Sequence, residues 1–276
     1  MTDNVLLSLG DEPKFDQIQT ELIKPAIQTA IAEARGQIAA VKAQPDTTWR
    51  NTVEALTDIT ERVGRIWGVV AHLNSVVDTP KLRAVYNELM PEVTVFFTEI
   101  GQDIELYERF KAIKASAEFD RLTEAQQTKL AHDLRDFVLS GAELPAEQQA
   151  ELAALQTEGA QLSAQFSQNV LDSTDAFALY FDDAAPLAGI PEDAQAMFAA
   201  AAEAEGKSGY KIGLQMPHYL AVMQYADNRE LREQIYRAYV TRASELSNDG
   251  KFDNTANINR TLEIALQTAK LLGFAN

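Results

Sequence analysis

The chain has 276 residues, 46% hydrophobic and 24% charged, a balance that supports a sizeable packed core and excludes a disordered polymer. Its 41 acidic residues against 24 Lys and Arg leave a formal charge of −17, which repels phosphate backbones and anionic lipid and argues against nucleic acid or a membrane as partner. The absence of cysteine excludes disulfides, thiolate metal sites and thiol nucleophiles together.

Met1 to Pro13 is polar and acidic apart from the short run Val5–Leu9, so no signal peptide is expected there. No apolar stretch approaches the roughly 18 residues that cross a bilayer. A reducing cytoplasm is the expected setting.

Ile27, Ile31, Ala34, Ile38 and Val41 recur at steps of three and four, predicting an amphipathic helix that Pro45 ends. Thr52 is read as the cap of the next helix, whose apolar face is Leu56, Ile59, Val63, Ile66, Val70 and Leu73. Thr79 caps a third, with Pro80 at its first position, and Pro91 predicts a kink within it. Thr123-Glu124-Ala125-Gln126 fits a capping box ahead of Leu130, Leu134 and Phe137, and Gly141 is a natural C-terminal cap. Pro145 opens a long helix through Leu152, Leu162 and Val170.

Residues 176–181 are short and aromatic, and residues 210–216 alternate, so both read as strands, with a helix over Pro191–Glu205 between them. Helices resume over Pro217–Asp227, Asn228–Ser247 and Asn257–Leu272. The expected fold is mainly α: a helical bundle-like domain with a small β-ribbon insertion around residues 176–216. No repeat or Gly/Ser linker divides residues 1–276, so one unit is expected.

The helix-borne zinc motif His-Glu-x-x-His needs two imidazoles four residues apart on one face. His72, His132 and His218 each lack such a partner, so neither catalytic nor metal residues are assigned. His132 and Asp136 share a helix face but read as a solvated surface pair. Asn248 to Asn254 offers oxygen ligands without the alternating carboxylates of a calcium loop, and reads as a turn. Tyr236-Arg237-Ala238-Tyr239 could stack on a ligand, although helical spacing makes packing the plainer reading. His72 and Asn74, in a polar cluster ending the second helix, either cap it or line a groove.

Several segments resemble the N-terminal half of the oligopeptidase A/thimet oligopeptidase family of zinc metallopeptidases. They are Arg65-Ile66-Trp67 with His72-Leu73-Asn74-Ser75-Val76, Leu134 to Gly141, Phe166 to Asp172, Leu187 to Glu192, Met216 to Leu220, Leu231 to Ser244, and Leu271 to Phe274. The likeness is collinear over essentially the whole chain. It implies a cytosolic enzyme whose two helix-rich halves flank a channel for short peptides, with zinc bound in the other half by His-Glu-x-x-His and a downstream Glu. This chain would then be a channel wall, inactive alone and holding no cofactor itself. Its partners would be short peptides and the missing catalytic half, and an exposed apolar face would drive self-association. His72 and Asn74 are the substrate-channel candidates. The alternative is a stand-alone helical module that binds peptides or proteins without cutting them.

Overall fold

The computed structural model describes residues 4–10 and 12–276; residues 1–3 and 11, within the Met1–Pro13 stretch, lie outside the described residues. It divides into two compact units, one of residues up to Gln161 together with Ile264–Asn276, the other Leu162–Glu263. Each has its own apolar core.

In the first unit, α1 (Thr20–Lys42), α2 (Ala55–Val76) and α3 (Pro80–Gly101) pack through the stripes visible in the sequence. Ile23, Ile27, Ile31, Val63, Ile66, Leu89 and Phe96 are essentially inaccessible to solvent. Each contributes about 1.5–3 kcal/mol by leaving water. Polar pairs record the alignment: Lys24 with Glu88, Gln28 with Glu92 and Arg35 with Glu99 share one offset in sequence, so α1 and α3 run parallel. Thr79 caps α3 by accepting from Leu82 N–H, as predicted, and the helix continues through Pro91 to Gly101.

Two local readings are corrected. The cap before α2 is Thr48, not Thr52: its hydroxyl accepts from Asn51 N–H while Asn51 Oδ1 accepts from Thr48 N–H. A wide π turn, Trp49–Glu54, separates that cap from α2, and Thr52 lies wholly buried inside it. Buried Trp49 holds the turn, donating its indole N–H to Glu54 and its amide to Glu118. The sequence reading also passed over α4 (Ile104–Lys114), which Asp103 caps through the amides of Glu105 and Leu106. Leu106, Tyr107, Phe110 and Ile113 form its buried face.

α5 (Glu124–Leu139) begins at the predicted Thr123/Gln126 capping box. It ends at Gly141, whose φ of +92° lets Ala142 N–H reach back to Phe137 O. α6 (Ala146–Asp175) follows Pro145 and passes from the first unit into the second.

In the second unit β1 (Leu179–Phe181) pairs antiparallel with β2 (Tyr210–Ile212), matching Leu179 to Ile212 and Phe181 to Tyr210. α7 (Glu192–Glu203) connects them and buries Phe198 against Ile212, Leu214 and Val222. α8 (Met216–Tyr225) and α9 (Arg229–Val240) follow, and α10 (Thr255–Leu271) begins in this unit and ends in the first. The second strand therefore stops at Ile212 rather than Met216. α9 stops at Val240 rather than Ser247, because Ala243 takes a left-handed φ of +51° that no helix continues. Among the described residues no helix is long and apolar enough to cross a membrane.

Gly141→Ala is expected to lower stability by at least about 1–2 kcal/mol from its left-handed backbone alone. A Cβ there would also lie 2.8 Å from Leu152. Gly36→Ala, in open space on α1, should instead stabilise by about 0.5–1 kcal/mol. Denaturant midpoints of the two variants should move in opposite directions.

Candidate functional site

The sequence-derived candidates fall on the last turns of α2. His72 is exposed, its ring 5.5 Å from that of Phe15. Asn74 lies two residues on, about 200° round the helix, so the two side chains do not share a face. Asn74 Oδ1 is buried with no hydrogen-bond partner. The end of α2 is closed by Val77 N–H to Leu73 O and by the Ser75 hydroxyl to His72 O, so Ser75 does the side-chain capping.

The weaker candidates are spent on structure. Asp136 pairs with Arg135 at 2.7 Å, Asp133 pairs with Lys129 at 2.8 Å, and His132 is exposed. Asp253 Oδ1 accepts from the amide and hydroxyl of Thr255, which caps α10 and holds its pKa below the ordinary carboxylate value. Among the described residues no group of three or more His, Cys, Asp or Glu could hold a metal ion, so these residues do not fit a zinc centre.

His218 is the one imidazole built into a core. Its Nδ1 accepts from Gly213 N–H at 3.0 Å, and its ring meets Phe198 edge-on at 5.0 Å. That hydrogen bond requires a neutral ring with the proton on Nε2. Burial, and then the Lys211 ammonium, hold its pKa below the ordinary imidazole value.

The feature best suited to binding is a cavity of about 570 Å³ in the second unit, which the sequence did not reveal. Its walls come from the last turns of α6, from α9, and from the loop between α9 and α10. Tyr236 and Val240, one turn apart on α9, face solvent there together with Leu246, which is 73% exposed. Beneath them Ser173 is almost fully buried. Its hydroxyl accepts from Ala243 N–H at 3.0 Å and from Asn248 Nδ2 at 3.1 Å. Asn254, also buried, ties the other end of the loop by donating to Phe166 O and accepting from Asn169 and Asn257. Between these anchors Ala243, Asn248, Asp249 and Gly250 all carry positive φ. Asn, Asp and Gly adopt that region cheaply; Ala243 bears a cost of about 1–2 kcal/mol. Its lining is apolar side chains with neutral hydroxyls and amides, plus an arginine that Glu233 already pairs. Such a surface can hold a flexible chain.

The Tyr236–Tyr239 cluster divides. Tyr239 stacks on Tyr219 at 4.0 Å, which is the packing role expected, whereas Tyr236 stays exposed on the cavity wall.

Residues 27–149 match the model of the Neurolysin/Thimet oligopeptidase N-terminal domain. This puts the chain among the helix-rich N-terminal regions of peptidases. Oligopeptidase A of Haemophilus influenzae is 41% identical over 98% of this chain and 40% of its own length. Oligopeptidase A of Escherichia coli is 39% identical over 99% of this chain and 40% of its own. A probable cytosolic oligopeptidase A of Arabidopsis thaliana is 36% identical over the whole chain and 40% of its own. The chain belongs to the oligopeptidase A/thimet oligopeptidase family as an N-terminal portion, and it spans about two-fifths of the length of these curated relatives.

Ser173→Ala strips the buried Ala243 amide of its acceptor and should cost about 1–3 kcal/mol, read from the denaturant midpoint. For His218, a folded pKa below the unfolded one means the unfolded chain binds the extra proton first. Stability from this residue is therefore complete above the unfolded pKa and declines as pH falls below it. The thermal midpoint should drop more between pH 7.5 and 5.5 in the wild type than in His218→Asn, which keeps an acceptor for Gly213 but does not titrate.

Proposed function

We propose that this chain is the non-catalytic, substrate-channel region of a zinc-dependent cytosolic oligopeptidase that hydrolyses internal bonds of short peptides. The observation that carries the reading is end-to-end similarity to oligopeptidases A two and a half times as long. Hydrolysis then requires polypeptide other than these 276 residues, and the zinc and its ligands belong to that portion. Here the chain's own residues act by exclusion and by contact. Helical walls keep folded proteins from the metal, and the cavity beside Tyr236 and Leu246 receives an extended segment. Of the two channel candidates, His72, exposed on α2, is proposed to face the peptide; Asn74 projects about 200° away with its Oδ1 buried and is not.

An exposed ridge on α10 supports docking to the rest of such an enzyme. Ile258 and Leu262, one turn apart, face solvent, with Leu262 64% exposed. Apolar stripes of this kind are covered in stable assemblies. The second reading, a stand-alone binding module, is favoured by a cavity completed by this chain alone.

Purified chain with added zinc should give no turnover of a quenched oligopeptide; zinc-dependent cleavage by this chain alone would overturn the proposal. In light scattering its mass should rise above 30.4 kDa with concentration, and Leu262→Glu should restore the monomer. A strict monomer throughout counts against the docking ridge.

A further inference from the structure

We infer that Arg242 and the aromatic pair beneath it form a binding site for a peptide carboxylate. This rests on the proposal that peptides bind along this chain, and it names the group they present.

Arg242 lies just beyond α9, and its guanidinium carbon is 3.7 Å from the centre of the Tyr239 ring. Tyr239 in turn stacks on Tyr219 of α8, 4.0 Å away and 25° from parallel. Two hydrogen bonds complete the positioning: Nε–H donates to Tyr239 O at 2.9 Å and one terminal nitrogen to Thr174 Oγ1 at 3.1 Å. Thr174, itself mostly buried, donates its own proton to Val170 O. A long side chain that normally loses rotamer entropy on binding is therefore already fixed.

A guanidinium carries five N–H donors, and here only two are engaged. Among the described residues no carboxylate lies within ion-pair distance of Arg242, in a chain with 41 acidic side chains. Asp175, next to Thr174 on α6, is held by Gln215. Two other arginines show the contrast: Arg109 is engaged by the carbonyls of Lys42 and Gln44 and the Thr47 hydroxyl, and Arg237 by Glu233. Arg242 is half-buried, where a charge without a partner is costly. The planar edge that remains fits a carboxylate through paired N–H···O bonds. Short peptides carry one at their C-terminus and others on acidic side chains.

The test compares three neutral-dye-labelled pentapeptides of Gly, Ala and Phe by fluorescence anisotropy on the full chain: a free acid, its C-terminal amide, and an amide with one internal Glu. The field of a −17 protein alone favours the amide, so a preference for the acid points to a local cation. The free acid should bind about tenfold tighter than the amide, the scale of one charge-assisted contact. Arg242→Gln should erase that gap without changing amide affinity, and Arg242→Lys should keep part of it. Tight binding by the Glu-bearing amide supports the site with a side-chain carboxylate as the ligand. Equal affinity for acid and both amides overturns the carboxylate site while leaving the channel-wall proposal standing; binding by none at millimolar peptide overturns both. The wild-type comparison decides the matter even if a variant fails to fold.

Discussion

The second unit's cavity depends on one buried hydroxyl. α9 stops at Val240, and the loop beyond it must return to α6 without leaving its amides unpaired in the interior. Ser173 Oγ meets that demand by accepting from both Ala243 and Asn248, residues 70 and 75 positions away. An unsatisfied buried amide costs about 1–3 kcal/mol, while the left-handed backbone of Ala243 costs about 1–2 kcal/mol. The two are comparable, so the strained turn persists because the alternative is no cheaper. With the loop pinned at Ser173 and Asn254, Leu246 and Tyr236 stand out over a formed cavity instead of collapsing into it.

Elsewhere apolar burial decides the fold and charge only trims it. The pairs that join α1 to α3, Lys24–Glu88 and Arg35–Glu99, are about half exposed at both ends. Such pairs contribute roughly 0–1 kcal/mol each. One fully buried Ile or Phe between the same helices outweighs them. The excess of carboxylates thus lies where it costs little, and the cations are drawn to a few demanding places. Arg109 clamps the chain after α1, and Lys211 and Lys207 converge on Glu205, whose pKa falls to about 2 chiefly through Lys211. Arg242 is held by a ring face, a carbonyl and a hydroxyl, which orient it without neutralising it.

What the sequence revealed divides along the distance over which each signal acts. The stripes of α1 to α3, the Thr79-Pro80 start, the Thr123 box and the glycine stop at Gly141 are short-range and were legible, as was the mainly helical class with its small ribbon. Thr48 was missed because a π turn separates the cap from the regular period, and α4 because its buried stripe is short and interrupted by charges. The end of α9 was misplaced because helix-forming side chains continue past Val240, and only the contact of Ala243 with Ser173 forbids the helix. His72 and Asn74 were legible as a polar cluster but not as a shared face, since a spacing of two turns side chains to nearly opposite sides. The cavity was invisible for the same reason as Ser173: its walls meet only in three dimensions.

If the chain is the channel wall proposed above, this distribution of chemistry bears on how such a wall would serve catalysis elsewhere. Contacts made far from the reacting bond bind substrate and transition state alike, so they lower the concentration needed without by themselves speeding the chemical step. Such contacts accelerate it when they fix the substrate in register with the catalytic groups, because positioning replaces entropy that would otherwise be lost at the barrier. An apolar cavity alone fixes depth but not register, since one side chain substitutes for another at a difference of only about 1–3 kcal/mol. A preset guanidinium supplies what the cavity lacks. On the channel-wall proposal it would tie one charged group of the peptide to one point of this chain, and so set the register that an apolar cavity leaves open.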